Sequence, residues 1–314
     1  MSFSHREETR GDRLLDILTD EEAGMRLIVS RLGAELISLA RRDADGKWVA
    51  FLYRDDEVSA PASGWANHAT VMGYYLHRLK DGHSIYRGQR IEGGTHSFLR
   101  TKVWHRAAGK RNDGKLTYSI GRADYTATEY PLNVSLELTY ELARGEVLVR
   151  FHFRNHEPIT AHLEFGLHPG FSASSFESFQ LLMPAGVYRR HFSPDNYLSG
   201  ETEEIRFAGG EMPFQRAKLP GSYILEFVDV PDRTFVYEDR QSGRAVSLDF
   251  AHVPYVTLWS DGGPFLCVEP CWGLTDHHEQ RAFEDKEGIQ TIAPNGELDA
   301  SFTMSPRLAT VAGE

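Results

Sequence analysis

The 314-residue sequence lacks several features that would assign it to a common class of protein. It contains no uninterrupted apolar run near the ~18 residues that a membrane-spanning helix needs, and its N-terminus, MSFSHREETRGDRLLD, lacks the apolar centre of a secretion signal. Two cysteines, Cys267 and Cys271, cannot form a disulfide framework or, by themselves, a four-ligand zinc site. We therefore expect a cytoplasmic globular protein.

Positive charge is scarce as well. The chain has 34 lysine and arginine residues against 45 aspartate and glutamate residues, which gives a formal net charge of -11. This balance disfavours binding to nucleic acid or to an anionic membrane through bulk charge, so we expect neither partner. A small molecule remains as the expected partner. The oligomeric state is left open between a monomer and a homodimer.

The short motifs of several catalytic classes are absent too. The sequence has no glycine-rich phosphate loop ending in Gly-Lys-Ser/Thr, no G-x-G-x-x-G after a strand, no H-E-x-x-H and no G-x-S-x-G. None of its 14 histidines are spaced H-x-H. We expect no cofactor and no bound metal.

What the sequence does contain is alternation of apolar and polar residues with period two, which is typical of half-buried strands. The clearest example covers residues 132–142. After a turn-sized break at 143–146 the alternation resumes over 147–154, and the two runs together predict an antiparallel hairpin. Similar shorter runs recur along the chain. Helical periodicity is weak, and Asp12–Thr19 and His277–Phe283 could each form a turn or two.

This pattern favours an all-β fold of antiparallel sheets packed as a sandwich. We predict one domain over residues 1–314, in which residues 1–20 form a loosely ordered N-terminal segment. A division into two domains stays open, because ~300 residues is near the upper size for a single core.

Three segments combine titratable groups with glycine, proline or aromatic neighbours. They place His96 beside Arg100, His168 before Pro169, and Glu269 at the end of an apolar strand beside Trp272. The plain alternatives are a surface histidine at 96, a core histidine at 168 and a solvent-exposed glutamate at 269. If Glu269 is buried, desolvation raises its pKa toward the range that suits a general base.

At these residues the sequence resembles the aldose 1-epimerase, or galactose mutarotase, family, and especially its less characterised bacterial branch. The fragments that carry the resemblance, in chain order, are GAELISL at 33–39, GYYLHRL at 73–79, HSFLR at 96–100 with Trp104, GLHPGF at 166–171, SGR at 242–244, WS at 259–260 with CVEPCWG at 267–273, and DKEGI at 285–289 with PNGE at 294–297. The first arginine and the asparagine of the family's G-R-x-A-N-R-I stretch are missing, and Ser97 replaces a glycine.

The resemblance implies a β-supersandwich and an isomerase that interconverts the α and β anomers of a free aldose by acid/base ring opening. It implies that Glu269 is the base and that His168, protonated near neutral pH, is the acid. It further implies that a monosaccharide is bound by a substrate-binding set made up of His96, Arg78, Arg100 and Trp272. The family also uses an acidic residue to bind sugar hydroxyls, for which Asp229 is our candidate.

Three other functions stay open. A hexose-6-phosphate 1-epimerase would use the arginines that are close in sequence, namely Arg78, Arg87, Arg90 and Arg100, to bind the phosphate. A non-catalytic sugar-binding or sugar-sensing protein could use the same scaffold. A glycoside hydrolase or lyase would require a second carboxylate across the cleft from Glu269.

Overall fold

The computed structural model describes residues 2–107, 113–213 and 215–308, and strands dominate these ranges. In chain order the strands are β1 (Phe3–Arg10), β2 (Arg13–Asp20), β3 (Met25–Ser30), β4 (Glu35–Arg42), β5 (Trp48–Ala50), β6 (Ala69–Tyr74), β7 (His83–Tyr86), β8 (Gln89–Glu92), β9 (His105–Arg106), β10 (Lys115–Ile120), β11 (Val134–Ala143), β12 (Glu146–Asn155), β13 (Ala161–Ser172), β14 (Phe179–Met183), β15 (Gly186–His191), β16 (Thr202–Phe207), β17 (Gly210–Glu211), β18 (Tyr223–Asp229), β19 (Thr234–Asp239), β20 (Arg244–Asp249), β21 (Tyr255–Trp259), β22 (Phe265–Trp272), β23 (Gln290–Ile292) and β24 (Glu297–Leu308). Short 3-10 turns lie at Lys80–Gly82, Leu99–Thr101, Arg122–Asp124, Pro194–Asn196, Arg216–Gly221 and Phe283–Asp285. None of the helical turns in these ranges has the length and apolar character that crossing a bilayer requires.

The strands form two large antiparallel sheets and two smaller ones. The nine-stranded sheet has the order β17-β14-β19-β20-β24-β12-β11-β10-β9, and the eight-stranded sheet has the order β16-β15-β18-β21-β22-β13-β23, with β6 also paired to β13. A five-stranded sheet follows the order β1-β2-β3-β4-β5, and β7 pairs with β8. The predicted antiparallel β-sandwich is therefore confirmed, and so is the hairpin, which is β11 and β12.

The core lies between the large sheets, where each contributes its apolar face. Phe151 and Phe153 of β12 contact Phe165 of β13, with ring centroids 5.2 and 4.6 Å apart. Because side chains alternate along a strand, this packing of Phe165 leaves Glu164, Gly166 and His168 on the opposite face of β13. That outer face carries the polar groups described below.

Three expectations about local structure, in two parts of the chain, are wrong. Residues 3–20 are not a loose segment, because they form β1 and β2, and Leu15, Ile17 and Leu18 are buried. The same observation excludes a helical turn at Asp12–Thr19. The stretch His277–Phe283 also lacks a helix, since the 3-10 turn there begins only at Phe283. In both places pairing with neighbouring strands or loops outweighs a weak local periodicity.

A buried ionic cluster ties loops to the outer face of β13. Lys286 lies with its Nζ 3.4 Å from Glu164 Oε2 and in close contact with the Asp276 carboxylate. Glu164 also accepts the backbone N–H groups of Leu76 and Leu274, at 3.1 and 3.2 Å. We call Glu164, Asp276 and Lys286 the buried lysine network. All three side chains are at most 6% exposed, so their charges are removed from water together.

Replacing Lys286 tests the contribution of this network to stability. The change Lys286→Met leaves two buried carboxyl groups without their cation, and breaking a buried ion pair in this way costs about 3–5 kcal/mol. We expect the free energy of unfolding in urea to fall by that amount. Lys102→Met is the matched control, because Lys102 pairs with Glu129 at 2.8 Å where both side chains are partly exposed, and such pairs contribute at most ~1 kcal/mol. Equal losses in both variants would contradict the assignment.

Candidate active site

The site is built on the pairing of β13 with β22. Gly166 is opposite Cys271 and Gly170 is opposite Cys267, so the antiparallel register puts His168 opposite Glu269. Both side chains point to the outer face, and His168 Nε2 lies 3.3 Å from Glu269 Oε1. The two residues that the sequence nominated as acid and base are thus adjacent across one strand pair.

This pair lies at the wall of a cavity of about 280 Å³. His96, Arg78 and Arg100 line the same cavity, so the structure brings five of the six nominated residues together. The remaining lining residues are Trp65, Asn67, Thr70, His77, Thr95, Ser193, Asn196, Ser222, Ile224, Trp259 and Thr275. Among the described residues that line the cavity, Glu269 is the only carboxylate.

Burial determines the protonation of the pair. Desolvation raises the pKa of Glu269 well above its ordinary value of 4.5, in the direction that the sequence predicted. Desolvation lowers the pKa of His168 to about 3, with a further contribution from the nearby His77, so the expected imidazolium is wrong. Burial therefore favours the neutral form of each group, with the proton on Glu269.

His96 is held by the backbone of the loop that carries Arg78. His96 Nδ1 accepts the backbone N–H of His77 at 3.2 Å, and the His96 backbone N–H donates to the His77 carbonyl at 2.8 Å. Because Nδ1 is an acceptor, Nε2 carries the proton in the neutral ring and is a hydrogen-bond donor. Burial lowers the pKa of His96 well below 6.5, and the neighbouring ionisable rings of His168 and His77 lower it further. The neutral ring therefore suits binding to a hydroxyl oxygen.

Arg78 and Arg100 supply the positive charge of the cavity. Within the described ranges, neither guanidinium has a carboxylate or hydrogen-bond partner. Arg78 is exposed and Arg100 is half-buried, so both remain available to a ligand. Because burial favours the neutral form of Glu269, these two arginines give the described cavity wall a positive balance of charge, although the chain as a whole is acidic.

Trp272 is outside the cavity, contrary to our expectation. It is 5% exposed in the core between the sheets, where its ring stacks on Phe165 with centroids 4.9 Å apart. Trp272 is three positions after Glu269 on β22, and an odd separation along a strand puts a side chain on the opposite face. It therefore packs the strand that carries Glu269 against the core and does not line the cavity.

Other candidates are also remote. Asp229 is exposed at the end of β18 and does not line the cavity. Arg87 donates to the Thr160 carbonyl, and Arg90 pairs with Glu92, both outside the cavity. Of the four arginines grouped by sequence, only Arg78 and Arg100 converge.

Trp65 is the most important residue that sequence reasoning missed. Its ring stacks on His168, with centroids 5.0 Å apart and planes at 28°. The contact depends on Gly170, because a Cβ at that position would lie 2.3 Å from Trp65 Cζ3. Trp65 follows an irregular Ser, Pro and Gly stretch with no periodicity, so no sequence signal placed it near His168.

His77 was also missed. It occupies the position at which the sequence departs from the family's asparagine, and it lines the cavity beside Arg78. Burial lowers the pKa of His77 to about 4, and its Nε2 lies 3.5 Å from Thr257 Oγ1. The cavity thus contains a third neutral imidazole in place of an amide.

Some of these groups could also bind a metal ion. One group consists of His168, Cys267 and Glu269, and a second consists of His77, Glu269 and Cys271. In each group, one possible ligand atom from every residue lies within 4.8 Å of the others. A third such group, His5, Glu7 and Asp16, is far from the cavity along the chain and is held by Arg31.

Solved structures with the same fold were found by comparison. A galactose mutarotase related enzyme from Lactobacillus acidophilus superposes with a TM-score of 0.83 at 21% identity, over 94% of this chain and 98% of that one. A galactose mutarotase-like protein from Lactobacillus casei gives a TM-score of 0.79 at 21% identity, over 93% and 100%. A galactose 1-epimerase from Lactobacillus acidophilus gives 0.73 at 12% identity, over 98% and 99%. These likenesses establish the fold.

Sequence comparison points the same way. The curated plasmid-encoded protein LacX of Lactococcus lactis is 24% identical over 288 residues, which cover 86% of this chain and 91% of that protein. The family model described as aldose 1-epimerase matches residues 16–301 and so includes every cavity-lining residue. The chain belongs to the aldose 1-epimerase family.

Proposed function

We propose that the protein interconverts the α and β anomers of an aldose, with Glu269 as base and His168 as acid. The observation that carries this proposal is the direct 3.3 Å approach of the two groups at the cavity wall. Mutarotation requires one group to accept a proton from the anomeric hydroxyl and another to give a proton to the ring oxygen. Trp65 and Trp259 offer apolar ring surfaces on which a sugar could stack.

Movement of one proton within the pair produces the carboxylate base and the imidazolium acid that the reaction needs. Transfer from Glu269 to His168 creates a carboxylate and an imidazolium together. The carboxylate then takes the anomeric proton while the imidazolium protonates the ring oxygen, so that the C1–O5 bond breaks and the C1=O1 bond forms. This step restores the neutral pair. After rotation about C1–C2, the reverse transfers close the ring to the other anomer.

Removing the base is the first test. Glu269→Gln keeps the size of the side chain but cannot accept the proton, and loss of a general base typically costs ~10²–10⁴-fold in rate. We expect kcat for mutarotation to fall by this factor when the reaction is measured by polarimetry with a panel of free aldoses. Glu204→Gln, on the exposed edge strand β16, is the control. Rates for Glu269→Gln equal to wild type on every sugar would refute the catalytic role.

The pH profile is the second test, because the active pair holds a single proton. On the acid side, activity is lost when the His168 ring takes up a proton from solvent. Because the pKa of His168 is lowered to about 3, this loss falls near pH 3. Activity is lost on the alkaline side when Glu269 gives up its proton, and its pKa is raised well above 4.5. We therefore expect kcat/KM to be flat across the neutral range. A narrow bell with limbs near the ordinary values of 4.5 and 6.5 would contradict the neutral pair.

A second candidate function, epimerisation of a phosphorylated aldose, is favoured by one observation. Arg78 and Arg100 line a cavity whose only carboxyl group is neutral, and neither has a partner within the described ranges. Guanidinium groups bind phosphate with charge-assisted, often bidentate hydrogen bonds. The proposed acid and base are the same for both substrate classes.

Comparison of glucose with glucose 6-phosphate separates the two candidates. Hydrogen bonds to charged groups contribute about 1.5–3 kcal/mol, so Arg100→Gln should lower kcat/KM for a phosphorylated substrate by roughly 10- to 100-fold. The value for the neutral sugar should change much less. Arg90→Gln is the matched control, since Arg90 is exposed and paired with Glu92. A preference for glucose that Arg100→Gln leaves unchanged would exclude the phosphorylated substrate.

Two alternatives receive less support. A glycoside hydrolase of the usual type needs two carboxylates facing each other, and the described cavity wall has one. A non-catalytic sugar sensor would not require a proton-sharing pair inside its binding cavity. Calorimetry that detects sugar binding without anomer interconversion would favour the sensor.

A further inference from the structure

β22 carries two thiols beside the proposed base, and the mutarotase mechanism uses neither of them. Cys267 and Cys271 lie two positions before and two positions after Glu269, so all three share the outer face of the strand. Both cysteines are free and fully buried. A polarizable sulfur next to a carboxylate and an imidazole is a combination of ligands that soft divalent cations prefer.

The first group of candidate ligands, His168, Cys267 and Glu269, has suitable spacing. Their ligand atoms all lie within 4.8 Å of one another, and His168 Nε2 is 3.3 Å from Glu269 Oε1. Tetrahedral zinc with bonds of about 2.0–2.3 Å places neighbouring ligand atoms roughly 3.3–3.8 Å apart. Side-chain shifts of about an ångström would therefore complete the coordination.

Within this group, Glu269 has an oxygen atom that is free to coordinate a cation. Glu269 is only 1% exposed, and its buried Oε2 atom lacks a hydrogen-bond partner. In the second group, His77 Nε2 and Cys271 Sγ already have a shared neighbour, Thr257 Oγ1, at 3.5 and 3.7 Å. The first group is favoured for two reasons. Glu269 has the unpaired oxygen, and the described contacts put no hydroxyl beside Cys267 in the way that Thr257 lies beside Cys271.

We propose that His168, Cys267 and Glu269 form a three-ligand site for a thiophilic divalent cation such as Zn²⁺, and that an occupied site does not support mutarotation. The cation can enter from the cavity, because His168 and Glu269 line it. A metal on His168 and Glu269 uses the same lone pairs that move the protons.

Metal binding also has a defined proton balance. Zn²⁺ binds cysteine as the thiolate, glutamate as the carboxylate and histidine as the neutral imidazole, so the thiol and the carboxyl group must lose any proton that they carry. Coordination as thiolate and carboxylate therefore releases up to two protons for each ion bound, while His168 binds as the neutral imidazole. Affinity should rise with pH, and no electron is transferred.

Cobalt spectroscopy tests the site without any reference to activity. Co²⁺ bound to a thiolate gives a sulfur-to-metal charge-transfer band, so titration of the full-length apo protein reports on the cysteine directly. We expect the band in wild type and in Cys271→Ser, and its loss in Cys267→Ser, with Cys267→Ala as a second replacement should serine disturb folding. A band that persists in both Cys267 variants, a band lost in Cys271→Ser, or no band in folded wild type would overturn the proposal.

The inhibitory consequence rests on the proposed function and needs its own measurement. Mutarotation is followed at chelator-buffered concentrations of free Zn²⁺, and each variant is normalised to its own metal-free rate. We expect the zinc concentration for half-inhibition to rise at least tenfold in Cys267→Ser and to stay near wild type in Cys271→Ser, with excess chelator restoring the rate. Equal sensitivity of the two variants would refute the inhibition. A wild-type protein that gives the cobalt band but shows no metal-free mutarotation would refute the proposed function and leave the metal site intact.

Discussion

The site depends on one constraint, the register between β13 and β22. Pairing of Gly166 with Cys271 and of Gly170 with Cys267 leaves His168 and Glu269 no position except opposite each other. A slip of one residue would turn one of the two side chains into the core. Glycine on both sides of His168 serves the same arrangement, because the outer face there is occupied closely by Trp65 and by the Pro270 backbone.

Burial opposes charge on the histidines and the glutamate of the cavity wall, whereas its two arginines stay charged. Glu269, His168, His96 and His77 are neutral because desolvation opposes ionisation of each one. The remaining full charges in the cavity wall belong to Arg78 and Arg100. Chemistry that shuffles one proton within a neutral pair needs little solvent reorganisation, whereas the arginines can orient a ligand from a distance.

Alternation along the strands was sufficient to predict the sandwich and the β11–β12 hairpin. The same rule, applied to Trp272, would have placed it in the core, so that error arose from following a motif instead of the geometry. The protonation of His168 could not be read from sequence, because its pKa depends on burial and on His77, a residue 91 positions earlier in the chain. Trp65 was unpredictable for a similar reason, since its contact is made possible by a glycine on a distant strand.

The buried lysine network has a consequence for how the cavity meets its ligand. Glu164 lies on β13, four residues before His168, and holds the Leu76 amide, while Asp276 holds the amide of Lys80 at 2.7 Å. The loop that presents His77 and Arg78 is thus bonded at one end to Glu164 on β13 and at the other end to Asp276, which Lys286 joins to Glu164. A wall held in this way is ordered before any ligand binds, so little conformational entropy is lost on binding.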